Sequence, residues 1–166
     1  ALGFVRRRGG ESTGLGFTYY FEQPENELLE DISVGAEYDR YEWLDGDLDS
    51  DELEINLIGI RTLAGDFLGL EVEFERDILQ EPFEIIDEVI IPSSEYKGVD
   101  FELEFRSSSN RPVFGEFEIA YGHFYGGKAT NAEIDLSWRP SKYFQLDFEI
   151  ASTMARLPQN NFEVLT

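Results

Sequence analysis

The chain has 166 residues and a formal net charge of −22, from 35 acidic against 13 basic residues. That length suits one domain, and a surface so acidic argues against a nucleic-acid partner, which needs a basic footprint. With no cysteine, neither a disulfide framework nor a thiolate metal site is available. No stretch approaches the roughly 18 consecutive apolar residues of a transmembrane helix, and the opening "ALGFVRRRGG" lacks the ordered regions of a signal peptide.

Apolar residues recur at every second position, with turn residues between the runs, which predicts strands. Eight are expected. The first, at 13–21, sets Leu15, Phe17, Tyr19 and Phe21 on one face. The second, at 31–43, carries Ile32, Val34, Ala36 and Tyr38; the third, at 51–62, carries Leu53, Ile55 and Leu57. In the fourth, at 66–76, Leu68, Leu70, Val72 and Phe74 alternate with Glu71, Glu73 and Glu75. The fifth, at 98–106, alternates Phe101, Leu103 and Phe105 with Glu102, Glu104 and Arg106. The sixth, at 113–124, sets Phe117, Ile119 and Tyr121 against Glu116 and Glu118. The last two lie within 132–152, on either side of "RPSK", where Glu133, Asp135, Asp147 and Glu149 interleave apolar neighbours. A helical stripe is nearest at 77–91, where Pro82 interrupts it.

"LAGD" (63–66), "SSSNRP" (107–112) and "RPSK" (139–142) read as short turns. Longer links are expected at 44–50 and 77–97, with 123–130 intermediate. Gly126–Gly127 permit positive φ and shape a hairpin there. This alternation of short and longer connections is the pattern of an up-and-down meander with unlike ends, as in transmembrane barrels.

The acids cannot share a closed, dry interior. Each unpaired buried charge costs several kcal/mol, against a net stability of about 5–15 kcal/mol for a whole domain. The acid face must therefore meet water. The apolar face must be dry, because it exceeds the few hundred Å² of patch that soluble monomers tolerate. Two arrangements satisfy both demands. In one, apolar residues point inward in a soluble acidic barrel or sandwich that binds a glycan or a protein. In the other, they point out to lipid and the acids line a water-filled lumen. Aromatics near strand ends, among them Tyr19, Tyr41, Trp43, Trp138 and Tyr143, suit the girdles of a membrane barrel; they also suit strands in general.

The ordered set "LGFVRRRG" (2–9), "IIPSSEY" (90–96), "SSSNRPVFGEFEIAYGHFYGGK" (107–128), "WRPS" (138–141) and "LPQNNF" (157–162) resembles the C-terminal region of a large bacterial family of uncharacterised function. Its members carry an N-terminal carbohydrate-binding-like β-sandwich followed by a predicted outer-membrane barrel, and some are labelled membrane-associated hydrolases. The resemblance implies an excerpt of a longer barrel, with residues 1–166 as one meander segment. The ending "FEVLT" lacks the terminal aromatic of an outer-membrane assembly signal, which fits an internal cut. No sugar site is carried over, because the chain lacks that module, and its acid loading is heavier than the family's.

Candidate chemistry is sparse. Asp45, Asp47, Asp49 and Asp51 cluster hard oxygens, as a weak cation site would. The EF-hand pattern fails there, with Ser50 in place of its turn glycine and Asn56 in place of its bidentate glutamate. His123, the single histidine, has no triad or ligand partners in the sequence. The many glutamates single out no acid–base pair of the glycosidase kind, so an enzymatic reading ranks third. Around a lumen they would instead favour cations. Arg6, Arg7 and Arg8 could meet anionic lipid or pair with lumen acids. The expectation is an all-β antiparallel up-and-down meander, part of a transmembrane barrel: a pore, transporter or surface-assembly component. It would sit in the outer membrane of a Gram-negative-type bacterium, with membrane lipid as its partner and no cofactor. A carbohydrate or protein ligand would come through the parent protein, and a secreted or periplasmic location is the alternative.

Overall fold

The computed structural model describes residues 10–86, 89–158 and 161–165; Arg6, Arg7 and Arg8 lie outside them. Eight long strands are present, as the alternation predicts: β1 (Gly10–Glu22), β2 (Leu29–Trp43), β3 (Leu48–Thr62), β4 (Phe67–Ile78), β7 (Glu95–Arg106), β8 (Val113–Phe124), β9 (Gly127–Ser141) and β10 (Phe144–Arg156). A short β11 (Asn161–Leu165) extends the sheet, and β5 (Phe83–Ile86) with β6 (Val89–Ile91) forms a separate hairpin inside the β4–β7 connection. The sheet order is β1-β2-β3-β4-β7-β8-β9-β10-β11, every neighbour antiparallel. It does not close on itself: β1 and β11 are its two edges. Among the described residues there is no helix.

Hydropathy sets the register. Leu53 stands opposite Phe74, and Phe74 opposite Val99, while the next positions pair Glu54 with Glu73 and Glu73 with Asp100. A slip of one residue would put every acid against an apolar side chain, so the observed pairing is the one that keeps the faces unmixed. A bulge between Asn56 and Ile58 absorbs the one place where β3 breaks its alternation.

The connections differ from expectation. The stretch 48–51, with Asp49, Ser50 and Asp51, continues β3, and 127–130, with Lys128 and Thr130, continues β9, so the expected loops shrink to 44–47 and 125–126. Backbone pairing does not need apolar side chains, and Asp51 finds Arg40 and Arg76 as its cross-strand neighbours. Short and long connections therefore do not alternate. One end of the sheet has turns at 23–28, 63–66, 107–112 and 142–143; at the other end, 79–94 is the single long connection within the described residues. The 125–126 turn has φ of 44° at Tyr125 and 81° at Gly126, the pair of positive values that a two-residue hairpin of right-handed twist requires.

The turns at 63–66 and 107–112 are clasped together. Asp66 accepts hydrogen bonds from Ser108 N at 2.9 Å and from Arg111 Nη2 at 2.7 Å, while its own N–H donates to Thr62 Oγ1 at 3.0 Å. The Arg111 guanidinium, with the Ser108 N–H, holds the Asp66 carboxyl well below the usual carboxylate range.

The segment 77–91 makes no helix. Past Pro82 it forms the β5–β6 hairpin, which carries the one apolar cluster of fully buried side chains among the described residues. Val89 (1% exposed), Ile91 (0%) and Leu157 (6%) pack with Leu79, Phe83, Tyr96, Phe124 and Tyr125. The Tyr125 ring meets Phe83, Tyr96 and Phe124 edge-on at centroid distances of 5.4, 5.3 and 5.0 Å. Fully burying one aliphatic side chain of this size is worth about 1.5–3 kcal/mol. The cluster thus ties the 79–94 connection to the ends of β8 and β10.

Candidate functional site: an acid-lined sheet face

Successive residues of a strand point to opposite faces, and along β7 the two faces have exchanged their usual exposures. In β7, Val99, Phe101, Leu103 and Phe105 are exposed, whereas Asp100, Glu102 and Glu104 between them are half-buried. The same apolar face carries Phe17 at 67% exposure and Phe148 at 55%. The more occluded face of β7 is the other one. That face belongs to the acids.

Register gathers them into cross-strand rows. Glu37 opposes Glu54, which opposes Glu73, which opposes Asp100. Asp39, Glu52 and Glu75 form a second row. Glu104, Glu118 and Glu133 form a third, and Glu116, Asp135 and Glu149 a fourth. Like charges directly opposite one another destabilise a sheet, so these rows persist only where water and counter-ions reach them. Among the described residues, basic side chains meet the acids of this face near the turn end. There Arg106 bonds Glu116 at 3.1 Å and also contacts Glu104, and Arg61 lies 3.7 Å from Asp31.

The structure does not gather Asp45, Asp47, Asp49 and Asp51. Asp45 and Asp47 are exposed on or beside the 44–47 turn, where Asp47 N donates to Asp45 Oδ1 at 3.2 Å. Asp49 and Asp51 belong to β3. Asp51 is engaged by Arg76 through Nε at 2.9 Å and Nη2 at 2.6 Å, and by Tyr38 Oη at 3.2 Å. Among the described residues, the carboxylates that do converge are Glu133, Asp135 and Glu149, with ligand oxygens within 4.8 Å of one another. Hard oxygens at that spacing could hold a divalent cation. Sequence reasoning placed Glu133, Asp135 and Glu149 among the alternating acids. It missed their convergence, because the β9–β10 pairing, not sequence proximity, sets Glu149 opposite Asp135.

His123 is a turn anchor: its Nε2 accepts the Gly126 N–H at 3.0 Å, and its own N–H donates to Asp100. No two carboxylates are set apart from the rows in a way that would mark an acid and a base.

No family model, curated protein or solved structure matches the chain. What the face can do therefore follows from its geometry. It presents a continuous carboxylate surface from β2 to β10, concentrates cations and repels anions.

Proposed function

We propose that this sheet is part of the wall of an outer-membrane β-barrel, a pore or transport component, whose acid face lines a water-filled lumen that favours cations. The observation that carries this reading is the openness of the apolar face: Phe17, Phe101, Phe105 and Phe148 all stand exposed, and in β7 the intervening acids are the more occluded side chains. A soluble sandwich requires the reverse, or a second layer over Phe101, Leu103 and their neighbours; among the described residues nothing covers them.

The dimensions agree. From Leu68 to Phe74 in β4, or Val99 to Phe105 in β7, the apolar run spans about 20 Å at ~3.3 Å per residue. The apolar band of transmembrane barrels is roughly 25 Å tall. Near the turn end of this belt, Tyr19 and Phe21 meet edge-on at 4.7 Å, and Trp138 and Phe144 at 6.0 Å. Lipid cannot satisfy open strand edges, so in this reading β1 and β11 pair with further strands. The family resemblance described above points the same way.

The test is conductance. In planar bilayers under a salt gradient, the full-length protein should give channels whose reversal potential reports cation preference. Anion preference, or incorporation without conductance, would count against a cation-favouring lumen. A monodisperse protein in plain buffer that ignores lipid would remove the membrane reading.

A further inference from the structure

Above the apolar belt, on the same outer face, the register assembles a row of another kind. Thr13 opposes Arg40, Arg40 opposes Asp51, Asp51 opposes Arg76, and Arg76 opposes Lys97. Across β8 to β10 a second row runs through His123, Lys128 and Arg156, again direct partners. Arg40, Arg76 and Lys97 thus share one row with Asp51, and Lys128 and Arg156 share a second row at the same end of the sheet, in a chain of net charge −22.

Some of this charge is already satisfied. Arg76 is bound to Asp51, Arg40 to Glu42 at 2.6 Å, and Lys97 to Glu95 at 2.9 Å, the last pair well exposed. Lys128 has no carboxylate partner among the described residues. Its ammonium sits 5.2 Å from the centre of the Tyr121 ring and donates to Tyr121 Oη at 3.1 Å.

Between Lys97 and Lys128 the wall changes character. The β7–β8 register stops at Phe101 opposite Tyr121, although both strands run further. Gly98 and Gly122 lie beyond that point, where a Cβ would collide with His123 and Asp100. On the outer face this region bears a groove of about 700 Å³. Phe74, Val99, Phe101 and Tyr121 give it an apolar lining; its charged lining is Arg76, Lys97 and Lys128 with Asp51, Glu52 and Glu75, of which Asp51 is bound to Arg76.

We infer that this groove seats a membrane lipid with a phosphorylated headgroup, the phosphate held between Lys97 and Lys128 and an acyl chain laid down over Phe101 and Val99. The inference rests on the membrane reading and assigns that surface a specific partner. An apolar floor continuous with the belt fits a hydrocarbon chain. Lysines at the belt's edge fit the plane in which headgroup phosphates lie, where each cation adds to the attraction of anionic lipid. A soluble phosphate compound would match the rim and leave the floor without use.

The experiment uses the full-length protein in mixed micelles or vesicles of phosphatidylcholine with phosphatidic acid as the probe. Native mass spectrometry should show one phosphatidic acid retained in preference to phosphatidylcholine. The double variant Lys97→Gln/Lys128→Gln should lose that preference by roughly tenfold, while Lys142→Gln, at the opposite end, should keep it. Millimolar inorganic phosphate should not displace the lipid; displacement would assign the rim to free phosphate and overturn the proposal. Equal retention of both lipids, or a preference untouched by the double variant, would also overturn it. Flotation with pure phosphatidylcholine vesicles separates the two readings. Protein that floats without headgroup preference refutes this inference alone, and protein that never floats refutes the membrane wall with it.

Discussion

The β5–β6 hairpin and the large sheet use the same apolar residue types and treat them in opposite ways. Around the hairpin, Val89, Ile91 and Leu157 are sealed from solvent by their neighbours. On the sheet, Leu15 is 79% exposed, and Phe17, Phe101 and Phe148 are all more than half exposed. The hairpin buries its hydrocarbon against Leu157, Tyr96, Phe124 and Tyr125 and so suits water. The sheet has no such cover among the described residues, and its stability in isolation would lack the main favourable term of folding. On the membrane reading proposed above, one chain serves two surroundings, and the boundary between them falls at the row of Arg40, Asp51, Arg76 and Lys97.

The strongest way to break this contrast is to place a charge on each face of one strand. Leu103→Arg on the open face should cost about 4 kcal/mol of folding free energy in vesicles, combining a cation near the bilayer midplane with a lost leucine. Glu102→Arg, one residue away among carboxylates, should stay within about 1 kcal/mol of the parent. Urea titration of vesicle-folded protein reads both; equal tolerance would mean that the open face meets water. Next in size, Ile91→Ala should loosen the hairpin by about 3 kcal/mol. That effect should show as faster hydrogen exchange confined to 79–94, with the sheet's protection unchanged.

A smaller effect sharpens the inner face. Converting Glu54, Glu73 and Asp100 together to their amides should lower the cation-to-anion permeability ratio roughly twofold, whereas Ile91→Ala should leave the ion preference alone. The smallest concerns the turn clasp. Because the folded-state pKa of Asp66 is depressed, the stabilisation it provides is fully present above the unfolded value of ~3.9. It is lost as pH falls through the folded value. Exchange in the 107–112 turn should therefore accelerate under strongly acidic conditions, and Asp66→Asn should show the faster rate at every pH.

The strands and their faces were legible because alternation is a local property: Glu71, Glu73 and Glu75 against Leu70, Val72 and Phe74 already state which residues share a side. The strand ends were not legible, since Ser50, Asp51, Lys128 and Thr130 are polar yet paired. A strand that outlasts its apolar stretch loses the signal that reveals it. The hairpin read only as a link, because strands of four and three residues give alternation too little length to register. The aspartates at 45–51 looked convergent in sequence, but β3 carries Asp51 to Arg76, 25 residues on. The basic rows were invisible for a related reason. Their members lie on different strands, and only pairing brings them together.

The free flank of β1 has a further consequence. From Gly10 to Glu22 it is paired to β2 on one side alone, leaving backbone donors and acceptors available along its other side. Such a flank templates whatever strand arrives first, a second copy of the chain included. Copies that meet along this edge during folding would join there, so yield on refolding should fall steeply as concentration rises.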